Sequence, residues 1–220
     1  MRVLIITEDS AIKLPQINKW TNKITKGMDI EKDDVLIKLL KTHNSTIPSD
    51  DLANEENYKS ILKTYVRPAK YMFSGMFSEV RDFSNKLVTI TPTDLHIISG
   101  RYGLLNENIS IIPYSKNVKT ITELKNLDEN TGFVEKIRTL VNGYTLIIFL
   151  LPRDYIQFFI TKGIFESIPM THSAVIVTGN QNCDTLSKYP RFTILPRKGV
   201  ARIGDKNRSK IIELIKDQVE

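Results

Sequence analysis

Five runs along the chain carry apolar residues at both parities: 2–7 (RVLIIT), 95–99 (LHIIS), 144–151 (YTLIIFLL), 173–178 (SAVIVT) and 191–195 (RFTIL). A strand with one face in water alternates apolar and polar positions. A strand apolar at both parities is buried on both faces, the signature of a parallel sheet between helical layers. Between these runs the period changes. Val35, Leu36, Leu39 and Leu40 form a stripe, as do Tyr58, Ile61, Leu62 and Tyr65, then Phe133, Ile137, Leu140 and Val141, and finally Ile211, Leu214, Ile215 and Val219. That spacing is the period of an amphipathic helix.

Strands and helices that alternate in this way predict an α/β fold: a largely parallel central sheet with helices on both faces, as one domain over 1–220. Residues 14–57 break the alternation with KLPQINKW, THNSTIPSDD and much charge. We read them as a helical insertion after the first strand.

Composition narrows the class. Hydrophobic residues make up 41% of the 220 and charged residues 25%, so a buried core is expected and disorder is not. One cysteine, Cys183, excludes an intramolecular disulfide and a cysteine-rich zinc site, and points to a reducing, cytoplasmic setting. The three histidines are scattered without metal-ligand spacing. There is no Gly-x-Gly-x-x-Gly, no Gly-Lys-Ser/Thr and no Gly-x-Ser-x-Gly, so no resident metal or cofactor is expected and a serine hydrolase is disfavoured. The apolar run Val3 to Ile6 is too short for a secretory leader, and 144–151 is too short to span a bilayer, so no membrane partner is expected. The pattern specifies no oligomeric state.

Charge adds a partner class. The net charge is +6, and eight basic residues fall between Lys188 and Lys210, opposed only by Asp205. Arg197, Lys198, Arg202, Lys206 and Arg208 from that run are candidates for nucleic-acid contact through phosphates.

In a parallel sheet, ligands gather beyond the carboxyl ends of the strands. The polar residues there are therefore the site candidates. Glu8 and Asp9 follow the first run, and Ser99, Gly100, Arg101, Tyr102 and Gly103 close the second. Arg153, Asp154 and Tyr155 follow the third, and Gly179 and Asn180 the fourth. Two glycines around Arg101 and Tyr102 leave bare backbone for a turn or for a ligand's approach. Arg101 and Arg153 suit phosphate or carboxylate, and Tyr102 and Tyr114 are shaped to stack on a base. Glu8, Asp9 and Asp154 are the carboxylates placed for proton transfer or for a divalent cation. The mixed segment RPAKYMFSGMF (67–77) reads either as a buried amphipathic element or as a loop offering Ser74 and Gly75 to the same cleft.

The order of RPAKYMFSGMFSEV, DLHIISGRYGLL, IIPY and LIIFLLPRDYIQFF resembles the YaaA family, over about residues 67–160. That family has a Phe-x-Gly segment, a strand ending Ser-Gly-x-Tyr-Gly-Leu-Leu, a Pro-Tyr and a later Glu-Tyr pair. A related bacterial and phage domain of unknown function shares the Ser-x-x-Tyr-Gly-Leu core. A fainter similarity is to the uracil-DNA-glycosylase-like domain of archaeal tRNA-modifying proteins. Here SKNV follows Tyr114, Asp154 stands in the Glu-Tyr position, and TEDSAIK replaces the family's Ser-Pro-Ala-Lys. The resemblance implies an intracellular α/β protein tied to peroxide or DNA-damage stress, with DNA bound in a positive cleft.

The functional expectation is therefore a nucleic acid or nucleotide bound at a basic cleft on the strand ends. The alternatives are a nucleotide- or nucleobase-processing enzyme using the strand-end carboxylates, and an assembly module without chemistry.

Overall fold

All five both-parity runs are strands, and four pairings among them are parallel. The computed structural model describes residues 1–14, 27–197, 199 and 201–219. In chain order its elements are β1 (Val3–Glu8), α1 (Asp34–Thr42), α2 (Glu55–Ile61), β2 (Arg67–Pro68), α3 (Ala69–Met72), α4 (Phe77–Val88), β3 (Thr93–Ser99), β4 (Gly103–Asn106), β5 (Ser110–Ile111), α5 (Ile121–Thr131), α6 (Phe133–Leu140), β6 (Leu146–Leu150), α7 (Arg153–Thr161), α8 (Ile164–Ser167), β7 (Ser173–Thr178), α9 (Cys183–Leu186), β8 (Phe192–Pro196) and α10 (Asp205–Val219). Six strands form one sheet in the order β4-β3-β1-β6-β7-β8, parallel except for β4.

Alternation within each strand sorts the core into two layers. Val3 and Ile5 of β1 join Leu146 and Ile148 of β6 on one face, under Leu36, Leu40, Tyr58, Phe77, Val80, Phe83 and Ile211. Leu4 and Ile6 join Ile147 and Phe149 on the other face, under Leu124, Phe133, Ile137, Ile156 and Phe159. Thus α1, α2, α4 and α10 cover one face and α5 to α9 the other. Each fully buried aliphatic or aromatic side chain is worth about 1.5–3 kcal/mol of transfer free energy.

The insertion after β1 carries α1 and α2, and α4 is the crossover helix to β3. Residues 15–26 of the insertion lie outside the described residues. Helix α1 starts where the Asp33 side chain accepts from the backbone of Val35 and Leu36. Helix α5 starts at a reciprocal box between Thr120 and Glu123 and ends at Gly132, whose φ is 61°.

From β1 the chain moves outward to β3. It then crosses back to place β6 on β1's other flank, and continues to β7 and β8. Loops leaving β1 and β6 therefore diverge, and a crevice opens between their carboxyl ends.

The two glycines of the Ser99–Gly103 turn serve packing. A Cβ at Gly100 would stand 2.9 Å from the Lys116 carbonyl oxygen, and one at Gly103 would stand 2.5 Å from Thr131 Oγ1. Gly103 also has a φ of +71°. Gly103→Ala is expected to cost about 2–4 kcal/mol, from left-handed strain plus overpacking. Gly143→Ala, where an added Cβ meets nothing within 4 Å, should stay within about 0.5 kcal/mol of the parent. Urea unfolding of the two variants checks this, and equal midpoints would contradict it.

Candidate functional site

The crevice between β1 and β6 holds a cleft of about 660 Å³. Glu8, Asp9, Ser10, Ala11 and Ile12 form one wall, Gly75 and Met76 a second, and Asn117, Val118 and Lys119 a third. Pro152, Arg153, Asp154 and Tyr155 close it from β6, with Arg197 and Arg202 from beyond β8. Two helices begin at this cleft, α4 after Met76 and α7 after Pro152, and neither N-terminus has a side-chain cap. At α4 the N–H groups of Phe77 and Ser78 already donate to the carbonyl oxygens of Ser74 and Gly75, whereas no backbone or side-chain acceptor among the described residues takes the first-turn N–H groups of α7, whose dipole makes this end of the sheet favourable to anions.

Arg202 builds the floor. It is buried, and its guanidinium donates to Thr7 Oγ1 at 3.2 Å, to the Glu8 carbonyl oxygen, and to the Asp9 carbonyl oxygen at 2.6 Å. It also stands 3.4 Å from a Glu8 carboxylate oxygen. Its backbone N–H, with that of Ile203, donates to Glu79 at the start of α4. Each terminal nitrogen thus has a protein acceptor, and Arg202 acts as an internal staple for β1.

Asp9 is similarly committed. Its Oδ2 accepts from the Gly100 N–H at 2.9 Å and from the Tyr114 hydroxyl at 2.5 Å. The Tyr114 oxygen also lies 2.7 Å from Ser99 Oγ, and Ser99 Oγ accepts from the N–H groups of Arg101 and Tyr102. Burial, reinforced by Asp9, pushes the Tyr114 hydroxyl well above its ordinary pKa. Beneath this network Lys13 is fully buried, donating to the Ser10 carbonyl oxygen at 2.9 Å with its amine 4.4 Å from the Tyr114 ring centroid. Burial lowers the Lys13 pKa, while Asp9, Asp29 and Glu31 oppose the shift.

Several expectations are corrected here. Tyr114 has 0% exposure, so it cannot stack on a base. The Arg101 side chain, also 0% exposed, faces the insertion, where it pairs with Asp51 at 2.7 Å and Glu55 at 2.9 Å and donates to the Ser49 carbonyl oxygen. Tyr102 donates to Glu55 at 2.9 Å. Ser99, Gly100 and Gly103 support this scaffold, and none of them lines the cleft. The bare backbone of the turn accommodates Lys116 and Thr131.

The basic rim is also corrected. Arg202 is internal, and Arg208 is half-buried, its nearest carboxylate Asp205 at 3.9 Å. Lys206 lines a separate cavity of about 400 Å³ beside the start of α10. Arg191 donates to the carbonyl oxygens of Ile168 and Pro169, near the opposite edge of the sheet. Lys198 lies outside the described residues. The described residues of the basic run are therefore divided among several environments and do not form one face.

The structure does bring Glu8, Asp9, Arg153, Asp154, Tyr155 and Arg197 together. Arg153 is exposed, and its side chain has no hydrogen-bond or ion-pair partner among the described residues. Arg197 stands 3.9 Å from Glu8, and its Nη1 is sealed from solvent without a hydrogen-bond partner among the described residues. Burial lowers the Arg197 pKa, with Glu8 opposing. Tyr155 is buried and donates to the Val118 carbonyl oxygen at 3.2 Å, tying α7 to the third wall. Gly179 lines an annex beside Arg153, whereas Asn180 is exposed and lines neither space. The buried amide near that turn is Asn182, which donates to the Arg153 carbonyl oxygen and to Thr178 Oγ1.

Sequence reasoning did not pick out Lys119, Met76 or the Asn117–Val118 wall. One signal was available: Thr120 and Glu123 announce a helix start, and Lys119 immediately precedes it. Gly75, with a φ of +64°, does face the cleft, while Ser74 is buried and accepts from the Gly27 N–H. Among the described residues no group of three or more His, Cys, Asp or Glu is arranged to hold a metal ion, and no helix is long and apolar enough to cross a membrane.

No family model matches the chain, and no curated protein matches it. Among solved structures it is similar to a possible 1-phosphofructokinase from Thermotoga maritima, at 11% identity and a TM-score of 0.32 over 99% of this chain and 69% of that one. A likeness at that score carries no weight for fold or function.

Proposed function

We propose that this protein binds a phosphorylated ligand of nucleotide size in the cleft between β1 and β6. The carrying observation is the convergence there of positive groups with donors to spare: Arg153, Lys119, Arg197, whose Nη1 makes no hydrogen bond among the described residues although Glu8 stands at 3.9 Å, and the uncapped N-terminus of α7. Most acids in the cleft are already engaged. Asp9 is held by Gly100 and Tyr114, and Glu8 by Arg202 and Arg197, so Asp154 is the main carboxylate facing the free cations. The volume lies within the roughly 300–1,000 Å³ typical of small-molecule sites. Ile12, Met76 and Val118 offer apolar surface for a flat, partly apolar group.

A nucleotide fits these features better than an extended polyanion. Nucleic-acid binding without a ligand pocket needs a basic track, and the described residues of the Lys188–Lys210 run are too divided to supply one. Proton transfer is likewise less favoured than binding, because Asp9 Oδ2 is already taken by the Gly100 N–H and the Tyr114 hydroxyl. The resemblance to the YaaA family remains part of this proposal. Its shared serine, glycines and tyrosines form the packed network under the cleft, which makes them a scaffold for a site whose ligand contacts come from elsewhere.

Thermal unfolding with nucleoside 5′-monophosphates, the parent nucleosides and a single-stranded 20-mer tests the reading. At a hundred times Kd, a monophosphate is expected to raise Tm by roughly 5–10 °C. Stabilisation by the 20-mer alone would sink this reading in favour of nucleic-acid binding. No shift with any monophosphate up to millimolar concentration would sink it outright.

A further inference from the structure

Beside the cleft lies an annex of about 370 Å³, lined by Pro152, Arg153, Gly179, Arg197 and Gly199. It shares Pro152, Arg153 and Arg197 with the cleft, so the two spaces adjoin. Their chemistry differs. The cleft carries Glu8, Asp9 and Asp154, whereas among the described residues every charged side chain lining the annex is an arginine. A Cβ at Gly179 or Gly199 would meet nothing within 4 Å, so both glycines border open space.

The arginines are unequal. Arg153 is exposed and without a partner among the described residues. The Arg197 side chain is 15% exposed, and its Nη1 has neither solvent nor a hydrogen-bond partner among the described residues, with Glu8 at 3.9 Å. Buried donors are nearly always satisfied, so an orphaned guanidinium nitrogen calls for an acceptor. Arg153 opens α7, a nine-residue helix whose first-turn N–H groups have no side-chain cap. Asn182 fixes that opening by donating to the Arg153 carbonyl oxygen at 3.0 Å. Two guanidiniums and a helix N-terminus around one hollow are donors matched to a tetrahedral dianion.

We infer that the annex seats the terminal phosphate of the ligand, gripped by Arg153 and Arg197, while the rest of the ligand lies in the cleft against Glu8 and Asp154. This deepens the nucleotide reading and rests on it for the ligand's neutral portion. It also assigns a polarity: the phosphate points toward the β7–β8 side, and hydroxyl or amino donors point toward the β1 carboxylates.

Calorimetry of the full chain with nucleoside 5′-monophosphates, the matching nucleosides and inorganic pyrophosphate tests this. The monophosphate is expected to bind at least tenfold more tightly than its nucleoside. Arg153→Ala and Arg197→Lys should each weaken monophosphate and pyrophosphate binding by roughly ten- to a hundredfold, the scale of a lost charge-assisted contact, and leave nucleoside binding unchanged. Lys216→Ala, which removes one exposed charge from α10, should change nothing. Arg153 is exposed, so its truncation should keep the fold, and an unchanged circular dichroism spectrum and Tm verify that. If monophosphates bind equally well to the parent and both variants, the annex assignment is overturned and the nucleotide reading stands. If pyrophosphate binds in an Arg153-dependent way while no nucleotide exceeds it, the annex stands and the nucleotide reading falls. No binding by either probe overturns both.

Discussion

Arg202→Met is expected to remove about 3–5 kcal/mol of stability, the scale set by breaking a buried ion pair from one side. Against a total of roughly 5–15 kcal/mol for a typical domain, that loss would leave the variant partly unfolded or close to it. Methionine replaces the apolar stem of Arg202 but none of its donors, and the guanidinium that lies 5.5 Å from the Phe77 ring centroid is lost as well. The carbonyl oxygens of Glu8 and Asp9 and the hydroxyl of Thr7 lose their contacts. The Glu8 carboxylate loses the nearer of its two arginines. Arg202→Lys should recover only part of the loss, because an ammonium cannot reproduce the fork that spans successive carbonyl oxygens of β1 and its exit. Urea unfolding measures both variants. If Arg202 instead served at the surface as a ligand contact, Arg202→Met would keep its midpoint and lose only affinity, and that pair of results would refute the staple.

This residue also marks the boundary of what the sequence discloses. Strands buried on both faces are visible as runs such as LIIFLL, because burial on both sides demands apolar residues at both parities. The largely parallel, helix-covered sheet follows from their alternation with helical stripes. That Glu8, Asp9 and Arg153 gather at the carboxyl edge of the sheet was also legible, whereas the arrival of Arg197 beside them was not. The role of each side chain was not. Arg101 and Arg153 both follow a buried strand within three residues. However, the chain after β3 turns back at once into β4, directing Arg101 at the insertion, whereas the chain after β6 runs straight into α7 and leaves Arg153 free. Nothing local separates these outcomes, because what decides them is the presence of Asp51 and Glu55, about 50 residues away. Arg202 shows the same limit at greater range, since its acceptors Thr7, Glu8 and Asp9 lie more than 190 residues earlier.

The second large effect is expected at Arg101, where Arg101→Met should detach the insertion from the sheet at a cost again of about 3–5 kcal/mol. The guanidinium is enclosed by Asp51 Oδ1 at 2.7 Å, Glu55 Oε2 at 2.9 Å and the Ser49 carbonyl oxygen at 2.7 Å. Removing it leaves two carboxylates without their shared cation, and leaves Tyr102 donating alone to Glu55. Hydrogen exchange should therefore quicken first in residues 49–65, ahead of β1 and β6, since the loss is centred on the docking contact. The pH profile supplies an independent readout. Burial acts to raise the Asp51 pKa, but hydrogen bonds from Tyr58, the Ser49 N–H and Arg101 outweigh it and hold the carboxyl well below its ordinary value. The unfolded chain then takes up the proton first as pH falls. The associated stability is present above about pH 4, the unfolded carboxyl's range, and is lost on acidification below it. In Arg101→Met the Asp51 pKa should move back toward normal, so the variant should lose less stability than the parent between about pH 4 and 3. Exchange unchanged across 49–65, together with parallel acid limbs for parent and variant, would show that the insertion is held by its apolar contacts through Leu36, Leu40 and Tyr58 rather than by this ion cluster.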